Sequence, residues 1–547
     1  MKLELPPTGT EQPPLFVDIE QCRAWQQALP LSNPIQAQAQ LLRQLHLLNR
    51  FTLAGDARLA ILEVLRESIH FVQAESAKKF SGKPLPLAPP EQAAIDTAHS
   101  LWQALATGYL RCLETCLAGA DQLKPQAATI CQRGLAVLSD DHADLLRAGN
   151  QPEDTHWQQA HTFYASAEQL AATLAPAEDG LRTSQPMTPA AAYAELMLLQ
   201  AANLHELTPR QQNWVVRWAR RWAGKVSIFA APPPESPALP LCVDLESRAP
   251  AGFKRLSGTG VRWLDTTELR KSLKKRLTLL AKGEPEDTPA KLGLGEDCMQ
   301  PVCGEVLRRV YPRWVKGGVL RRVERHPMSG ASRFVAGVDA IHYYLSGHQA
   351  FKPPGSTSSE DMRRQREELA TFGRVAARFE EEYSRNHGYQ LENWEVIEDW
   401  GMLDQSNGGL RLVRPLKQNG GRLGIGQLVA VQPPGTSGLL LGVVRWAQVS
   451  GDNLAAGIQL FPGKSLPVAM RGTGVMATRD QYRPGFLLPP LAALDLPPSA
   501  ILPPGSFKPN RIMEAWTAKG SYRIKLKDML DRGADFERVT CEEMPPQ

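Results

Sequence analysis

Residues 404 to 412 bring together side chains that can recognise the edge of a nucleotide base. Asp404 and Ser406 are followed by the glycine pair Gly408 and Gly409. A short carboxylate can accept hydrogen bonds from guanine N–H groups, and glycine lets a ligand approach the backbone closely. The same residue types are enriched in ordinary turns for conformational reasons. Taken alone, the segment therefore indicates either a hairpin connection or one wall of a nucleotide site.

A group of arginines upstream could supply the positive half of such a site. Arg321, Arg322 and Arg325 lie just before a strand-like run at 332–342. Guanidinium groups bind phosphate oxygens, or O6 and N7 of guanine, through two parallel hydrogen bonds, and they can stack on a purine. Basic runs are also common on solvated surfaces. The arginines are therefore informative mainly in combination with the acidic turn further along the chain.

Strand-forming residues surround the acidic turn on both sides. One run, 394–403, precedes it, and further runs follow at 409–413, 426–431, 439–446 and 455–461. β-Branched and aromatic residues bounded by Gly, Pro, Asn and Asp are typical of strands joined by turns. The pattern predicts a small antiparallel β-barrel.

The pattern Asp-x-Ser-x-x-Gly at 404–409, with Arg-x-x-x-Arg at 321–325 ahead of the first strand, resembles the signature of PilZ domains, which are bacterial receptors for cyclic di-GMP. The resemblance implies a barrel with cyclic di-GMP as its ligand, and we expect no metal and no other cofactor. It also implies two groups of ligand-binding residues, which are Arg321, Arg322 and Arg325 on the upstream segment and Asp404, Ser406 and Gly409 on the barrel.

The stretch between the two motifs is longer than in a typical PilZ domain. Residues 352–392 begin with a segment rich in Pro and Ser and continue with a charged helical pattern, which predicts a helical insertion into a barrel loop. This insertion holds an Arg-x-x-x-Arg pattern of its own, Arg374 and Arg378, nearer in sequence to the acidic turn. We prefer Arg321 and Arg325 because a strand follows them directly, and the second pair stays open as the alternative.

The chain of 547 residues is long enough for three or four domains. Its pattern predicts a multidomain α+β fold with an N-terminal all-α helical domain, a small mixed module and a C-terminal PilZ-like antiparallel β-barrel with a helical insertion. The expected boundaries are 1–230 for the helical domain, 231–240 for a Pro-rich linker, 241–318 for the small α/β module, 319–480 for the barrel, and 481–547 for a second Pro-rich stretch with two short C-terminal strands.

The helical half shows several helix starts. Asp56 can cap one helix. Three further capping residues stand directly before a proline, which favours the first position of a helix; they are Asn33, Thr188 and Thr208. The last of these helices carries tryptophans at four-residue intervals, namely Trp214, Trp218 and Trp222. Because such a stripe buries a large apolar area, we expect it to form core or a docking surface. Residues 157–167 resemble a helical-repeat hairpin, but no fixed period continues along the chain.

The overall charge is close to balanced, with 62 Lys and Arg against 57 Asp and Glu, so the whole-chain charge does not require a nucleic-acid partner. Two local basic clusters, at 270–276 and 308–325, could attract a polyanion. For the first of these clusters, a solvated helix face is the simpler interpretation. We therefore regard nucleic acid as the disfavoured partner.

The cysteines indicate a reducing compartment. The chain has eight, with no Cys-x-x-Cys and no cysteine and histidine grouping at zinc spacing. Cys112 and Cys116 lie one helical turn apart among apolar residues, which favours buried thiols. No run is long and apolar enough to span a bilayer, and the start of the sequence lacks an apolar signal core. We expect a cytoplasmic protein without a membrane span.

Common enzyme motifs are missing from the sequence. It has no Gly-x-x-x-x-Gly-Lys-Ser/Thr loop, no Gly-x-Ser-x-Gly elbow and no His-Glu-x-x-His. We therefore expect a non-enzymatic receptor whose barrel senses cyclic di-GMP and whose helical domain engages a protein partner of unknown identity. The alternative is a nucleic-acid-binding or scaffold protein with a degenerate barrel, in which the basic cluster at 308–325 contacts phosphates.

Overall fold

The computed structural model describes residues 5–545, apart from 10–11, 120–121, 183–184, 235–238, 285, 317–324, 355–396, 407, 474–480 and 518–519. The chain forms two compact units. The first comprises Met1–Lys83 and Leu87–Arg322, and the second comprises Pro84–Pro86 and Val323–Gln547. The first unit is mainly helical and the second is mainly β-strand, which confirms the predicted multidomain α+β fold class.

Eight α-helices lie in the described part of the chain before residue 223. They are α1 (Ile19–Gln27), α2 (Pro34–Arg50), α3 (Gly55–Phe80), α4 (Pro89–Leu117), α5 (Ala127–Arg147), α6 (Asp154–Gln169), α7 (Pro189–Ala202) and α8 (Pro209–Trp222). The side chains of Asn33 and Thr188 accept hydrogen bonds from backbone N–H groups in the first turns of α2 and α7, as the cap chemistry predicts. Thr208 starts α8 in a capping box with Gln211. Asp56 is not a cap, because α3 begins at Gly55 and places it in the first turn.

The described residues of 241–318, the segment predicted as a small mixed module, share a core with the preceding helices. Strands β1 (Ser227–Phe229), β2 (Leu241–Asp244), β3 (Gly252–Phe253) and β4 (Val261–Asp265) form an antiparallel sheet in the order β1–β4–β2–β3. Helices α9 (Thr267–Lys282) and α10 (Val302–Val315) follow. Their buried side chains belong to the same apolar cluster as those of the N-terminal helices. The sheet begins before the Pro-rich segment at 231–240, since β1 precedes it.

The tryptophan stripe of α8 forms part of this core, as expected. Trp214, Trp218 and Trp222 stack along the helix, and each is no more than 3% exposed. Trp314 on α10 packs edge-on against Trp222, and its indole N–H donates to the carbonyl oxygen of Leu198 at 2.8 Å. A buried tryptophan whose N–H is satisfied combines a large apolar contact with a directional one, so it fixes α10 against α7 and α8.

Cys112 and Cys116 are buried thiols, as the sequence indicates, and burial raises the pKa of Cys112 to about 12. Cys298 and Cys303 form a disulfide that links the turn before α10 to the first residues of that helix. The sequence analysis did not predict this disulfide, because its spacing matches no recognised motif. Among the described helices, none is both long enough and apolar enough to cross a bilayer.

The predicted antiparallel barrel begins the second unit. Its strands are β5 (His326–Pro327), β6 (Ala331–Ala336), β7 (Glu398–Ser406), β8 (Gly409–Pro415), β9 (Leu428–Gln432), β10 (Leu440–Ser450) and β11 (Asn453–Leu460). The antiparallel pairings run β6–β7–β8–β11–β10–β9 and return from β9 to β6. Six strands therefore close into a ring, and β5 adds a short pairing to the end of β7.

The first long strand is shorter than predicted. The sequence indicated a strand over 332–342, but β6 ends at Ala336 and helix α11 (Val338–Leu345) follows. Gly337, between them, has a φ of +92°, a backbone conformation that favours glycine and interrupts the strand. Ile341 on α11 is buried, so its apolar character reflects helix packing.

A second closed barrel follows the first, where the sequence analysis expected only a Pro-rich stretch and two short strands. It consists of β12 (Leu466–Gly472), β13 (Arg483–Leu488), β14 (Ser499–Leu502), β15 (Ile512–Thr517), β16 (Gly520–Arg532) and β17 (Glu537–Glu543), in the order β12–β13–β14–β17–β16–β15. The short buried strands β13 and β14 lie partly within the Pro-rich stretch. Prolines argue against strand in a sequence pattern, which hid these two strands.

The two barrels share an apolar core. Phe486 and Leu488 of the second barrel belong to one buried cluster with Leu428, Leu441 and Val443 of β9 and β10. The described members of this cluster include no residue of β7 or β8. The acidic turn therefore lies on a part of the first barrel that this packing does not use.

Candidate functional site

The predicted acidic turn joins β7 to β8 as a hairpin. Ser406 pairs with Gly409 across the two strands, with residues 407 and 408 between them. The Ser406 hydroxyl donates to the carbonyl oxygen of Gly409 at 3.3 Å. A Cβ at residue 409 would lie 3.0 Å from the carbonyl oxygen of Ile458 on β11, so a larger residue would crowd the two strands at this point.

The structure brings one residue of each predicted motif into contact. Strand β5 places Pro327 opposite Asp404 and His326 opposite Gln405. The residue just before this strand, Arg325, donates through Nη1 to Oδ1 of Asp404 in an ion pair that spans 79 residues of sequence. Their side chains are 27% and 19% exposed, so both remain accessible from solvent.

A β-bulge sets which residue lies beside Asp404. The register of β7 against β8 shifts between Met402 and Asp404, so Met402 pairs with Leu412 and Asp404 pairs with Arg411. Paired residues on antiparallel strands project from the same face. Leu410 and Leu412 are fully buried, so Arg411, between them, projects from the outer face with Asp404.

Arg411 and Trp446 lie together in a cation–π contact next to the ion pair. The guanidinium carbon of Arg411 lies 6.0 Å from the Trp446 ring centroid. Both residues pair with Gly457 of β11, and a Cβ at that position would lie 2.0 Å from Nε1 of Trp446. The indole therefore lies over the bare backbone of Gly457. Planar groups of this kind can stack on a nucleobase.

Three arginines around this surface have two carboxylate partners among the described residues. Arg325 is paired with Asp404, and Arg445 forms an ion pair with Asp531 at 2.5 Å. Arg411 forms no ion pair with a described residue, and its Nε is buried without a hydrogen-bond partner in the described part of the chain. One guanidinium is thus available for an anionic or acceptor group on a ligand.

The remaining predicted arginines, Arg321 and Arg322, lie outside the described residues. So do Arg374 and Arg378 of the alternative motif, together with the predicted insertion from residue 355 onward. The described residues contain no group of three His, Cys, Asp or Glu side chains arranged to hold a metal ion.

The sequence analysis missed three residues of this face, Arg411, Trp446 and Gly457. A signal for Gly457 existed, because a glycine inside a strand of apolar residues marks a close approach of another group. No comparable signal placed Arg411 and Trp446 together, since their proximity depends on the register of β8, β11 and β10 and on a bulge in β10.

Two family models match the ends of the chain. The model described as "Cyclic-di-GMP receptor FimW, N-terminal domain" matches residues 20–234, and the model described as "FimW C-terminal beta-barrel domain" matches residues 468–544. Both ends of the chain match FimW domains. The first match covers helices α1 to α8, and the second covers nearly all of the second barrel. The candidate face lies between the two matched regions.

One relative is similar to this chain over most of its length. A protein of Pseudomonas aeruginosa named "Cyclic-di-GMP receptor FimW" is 24% identical over 540 residues, which cover 91% of this chain and 86% of that protein. The similarity therefore extends through most of both chains.

Proposed function

We propose that this protein is a receptor for cyclic di-GMP and that the outer face of the first barrel, around the Arg325–Asp404 ion pair, binds the ligand in the manner of a PilZ domain. The contact between these two residues carries the proposal, because it joins the two sequence motifs that resemble the PilZ signature. The name of the Pseudomonas aeruginosa relative, a cyclic di-GMP receptor, supports the same ligand.

The chemistry of the ion pair suits a guanine nucleotide. Asp404 can accept from the guanine N–H groups, and Arg325 can donate to O6 and N7 or to a phosphate oxygen. In the absence of ligand, the Arg325 guanidinium and the Asp404 carboxylate form an ion pair with each other. Ligand binding therefore exchanges one ion pair for two charge-assisted contacts, and no unpaired charge is left on either side. Arg321 and Arg322, close in sequence to Arg325, would add phosphate contacts.

Arg411 and Trp446 extend the proposed site across the barrel. Their planar groups lie on the same face as Asp404, where a purine held by Asp404 could stack. Stacking on an aromatic or guanidinium plane is typical of nucleotide recognition and contributes about 1–3 kcal/mol per base. Ser406 would complete the wall, and Gly409, which is buried beside the carbonyl oxygen of Ile458, would hold the hairpin in the shape that presents Ser406.

We also propose that the helical unit relays ligand occupancy to a protein partner in the cytoplasm. Residues 317–324 connect the two units in sequence and include Arg321 and Arg322. A ligand that holds these arginines would bind some conformations of the chain more tightly than others. This difference in affinity is enough to shift the population toward the conformations that bind more tightly. This protein would then act as a receptor and not as an enzyme.

Calorimetric titration of the full chain with cyclic di-GMP tests the proposed function. We expect saturable binding of cyclic di-GMP and no comparable binding of cyclic di-AMP, since adenine lacks the adjacent N1–H and N2–H donors of guanine from which Asp404 would accept. Failure to bind cyclic di-GMP would overturn the proposal. Steeply salt-dependent binding of an oligonucleotide in its place would favour the nucleic-acid alternative.

A further inference from the structure

Helix α9 presents a row of basic side chains to solvent. Its inner face buries Leu269 and Leu273 in the core of the helical unit. Its exposed basic residues are Arg270, Lys271, Lys274, Lys275 and Lys282. The only acidic residue in the helix is Glu268. The helix is therefore held flat against its own unit and offers a cationic side outward.

Only part of this charge is neutralised by neighbouring carboxylates. Lys271 lies 2.7 Å from Glu268, and Lys282 lies 4.0 Å from Glu284. Arg270, Lys274 and Lys275 form no ion pair with a described residue. Such exposed pairs contribute little to folding stability, so the cluster has no evident structural role.

A pair of arginines adds to the charge at one side of the row. Arg276 lies over the Trp222 ring at 5.0 Å and donates to the carbonyl oxygen of Leu292 at 2.7 Å. Its pKa is lowered, first by burial and second by the positive charge of Arg221. A Cβ at Gly293 would lie 2.9 Å from the Arg221 guanidinium, so the adjacent loop packs directly against that residue. Two like charges are thus held together by backbone and aromatic contacts, without a described carboxylate between them.

We propose that Arg221 with the five exposed basic residues of α9, here called the α9 basic surface, docks this protein on an anionic lipid bilayer. A row of four to eight lysines and arginines on an amphipathic helix is attracted to anionic lipid headgroups. Between the lysines lies a shallow groove of about 390 Å³, to which Thr278 and Leu279 contribute. The contact would be peripheral, on the surface of the membrane.

The composition of the α9 basic surface disfavours single-stranded nucleic acid and a protein partner. Single-stranded nucleic acid is usually held by exposed aromatic side chains on which bases stack. α9 contains no aromatic residue, and the tryptophans of α8 are buried. Protein interfaces usually centre on buried aromatic and arginine anchors, whereas this surface is dominated by lysine. Diffuse attraction to a layer of phosphates requires neither feature.

Sedimentation of the purified full chain with vesicles tests this proposal. We expect the chain to pellet with phosphatidylcholine vesicles that contain phosphatidylglycerol and not with pure phosphatidylcholine, and to be released as salt is raised. The double variant Lys274→Glu/Lys275→Glu should bind the anionic vesicles at least about tenfold more weakly. The matched control is Lys78→Glu/Lys79→Glu, which makes the same charge change at an exposed pair on α3 and should bind like the wild type.

Three outcomes of the vesicle experiment would overturn the proposal. They are no binding of the wild type to anionic vesicles, equal binding of the Lys274→Glu/Lys275→Glu variant, and an equal loss in the control pair. Preferential binding of an oligonucleotide or an acidic polypeptide over the vesicles, lost in the same variant, would also reject the bilayer and assign the surface to that partner. These measurements need no cyclic di-GMP, so their result is independent of the function proposed for the barrel.

Discussion

The indole of Trp446 lies directly over Gly457, and a Cβ at that position would be 2.0 Å from Nε1 of the indole. No side chain larger than glycine fits beneath the ring, so the position of Trp446 on the outer face depends on this residue. The Arg411 guanidinium, 6.0 Å from the ring centroid, completes the surface on which we expect a base to stack.

We predict that Gly457→Ala weakens cyclic di-GMP binding by displacing the indole. Loss of one stacked base costs about 1–3 kcal/mol, so the dissociation constant should rise about 5- to 150-fold. Trp446→Ala should show a similar loss, and Trp446→Phe a smaller one. The control is Gly424→Ala, where a Cβ meets no atom within 4 Å. Equal affinities in Gly457→Ala and Gly424→Ala, measured by calorimetry, would remove Trp446 from the site.

We predict that Asp404→Ala lowers the affinity for cyclic di-GMP with little change in melting temperature. Its ion pair with Arg325 is partly exposed, and such pairs contribute about 0–1 kcal/mol to stability. Asp399→Ala, an exposed carboxylate on the same strand, is the control and should bind normally. A large drop in melting temperature with unchanged binding would show that Asp404 only stabilises the turn.

A buried ion pair in the first barrel gives a stability prediction. Arg414 is fully buried, lies 2.5 Å from Glu398 and donates to the carbonyl oxygen of Gly421 at 3.0 Å. Because Glu398→Ala leaves this guanidinium buried without its carboxylate, we expect a loss of about 3–5 kcal/mol in the unfolding free energy of the barrel. Asp399→Ala should change it by less than about 1 kcal/mol. Chemical denaturation compares the two, and similar midpoints would contradict the role assigned to the pair.

The helical unit should lose stability in mild acid. Burial lowers the pKa of both His161 and His205 to about 4. The unfolded chain takes up these protons near pH 6.5 and the folded chain only near pH 4. Stability is therefore full above pH 6.5 and falls between pH 6.5 and 4, by up to about 1.4 kcal/mol per pH unit for each histidine. Thermal unfolding across this range should show a shallower slope in His205→Gln, and an unchanged slope would contradict the assignment.

The sequence predicted the elements of the candidate site better than their assembly. Asp404, Ser406 and Gly409 lie on a hairpin because their local turn chemistry, which is readable in sequence, produces one. Arg411 joins Asp404 only through a bulge in β7, and no local pattern specifies that register. The second barrel was missed for a related reason. Its strands β13 and β14 are short and lie among prolines, so their local strand propensity is low. Pairing with strands distant in sequence stabilises them.

Calorimetric titration of Arg325→Ala with cyclic di-GMP, beside the control Arg333→Ala, tests the central claim most directly. Arg333 is an exposed arginine on the neighbouring strand β6. Removal of a charged hydrogen bond costs about 1.5–3 kcal/mol, so Arg325→Ala should bind about 10- to 150-fold more weakly than the wild type, and Arg333→Ala should bind equally well. Unchanged affinity in Arg325→Ala would contradict the claim. If Arg374→Ala or Arg378→Ala then lost binding, the ligand site would include the inserted segment in place of the contact between Arg325 and Asp404.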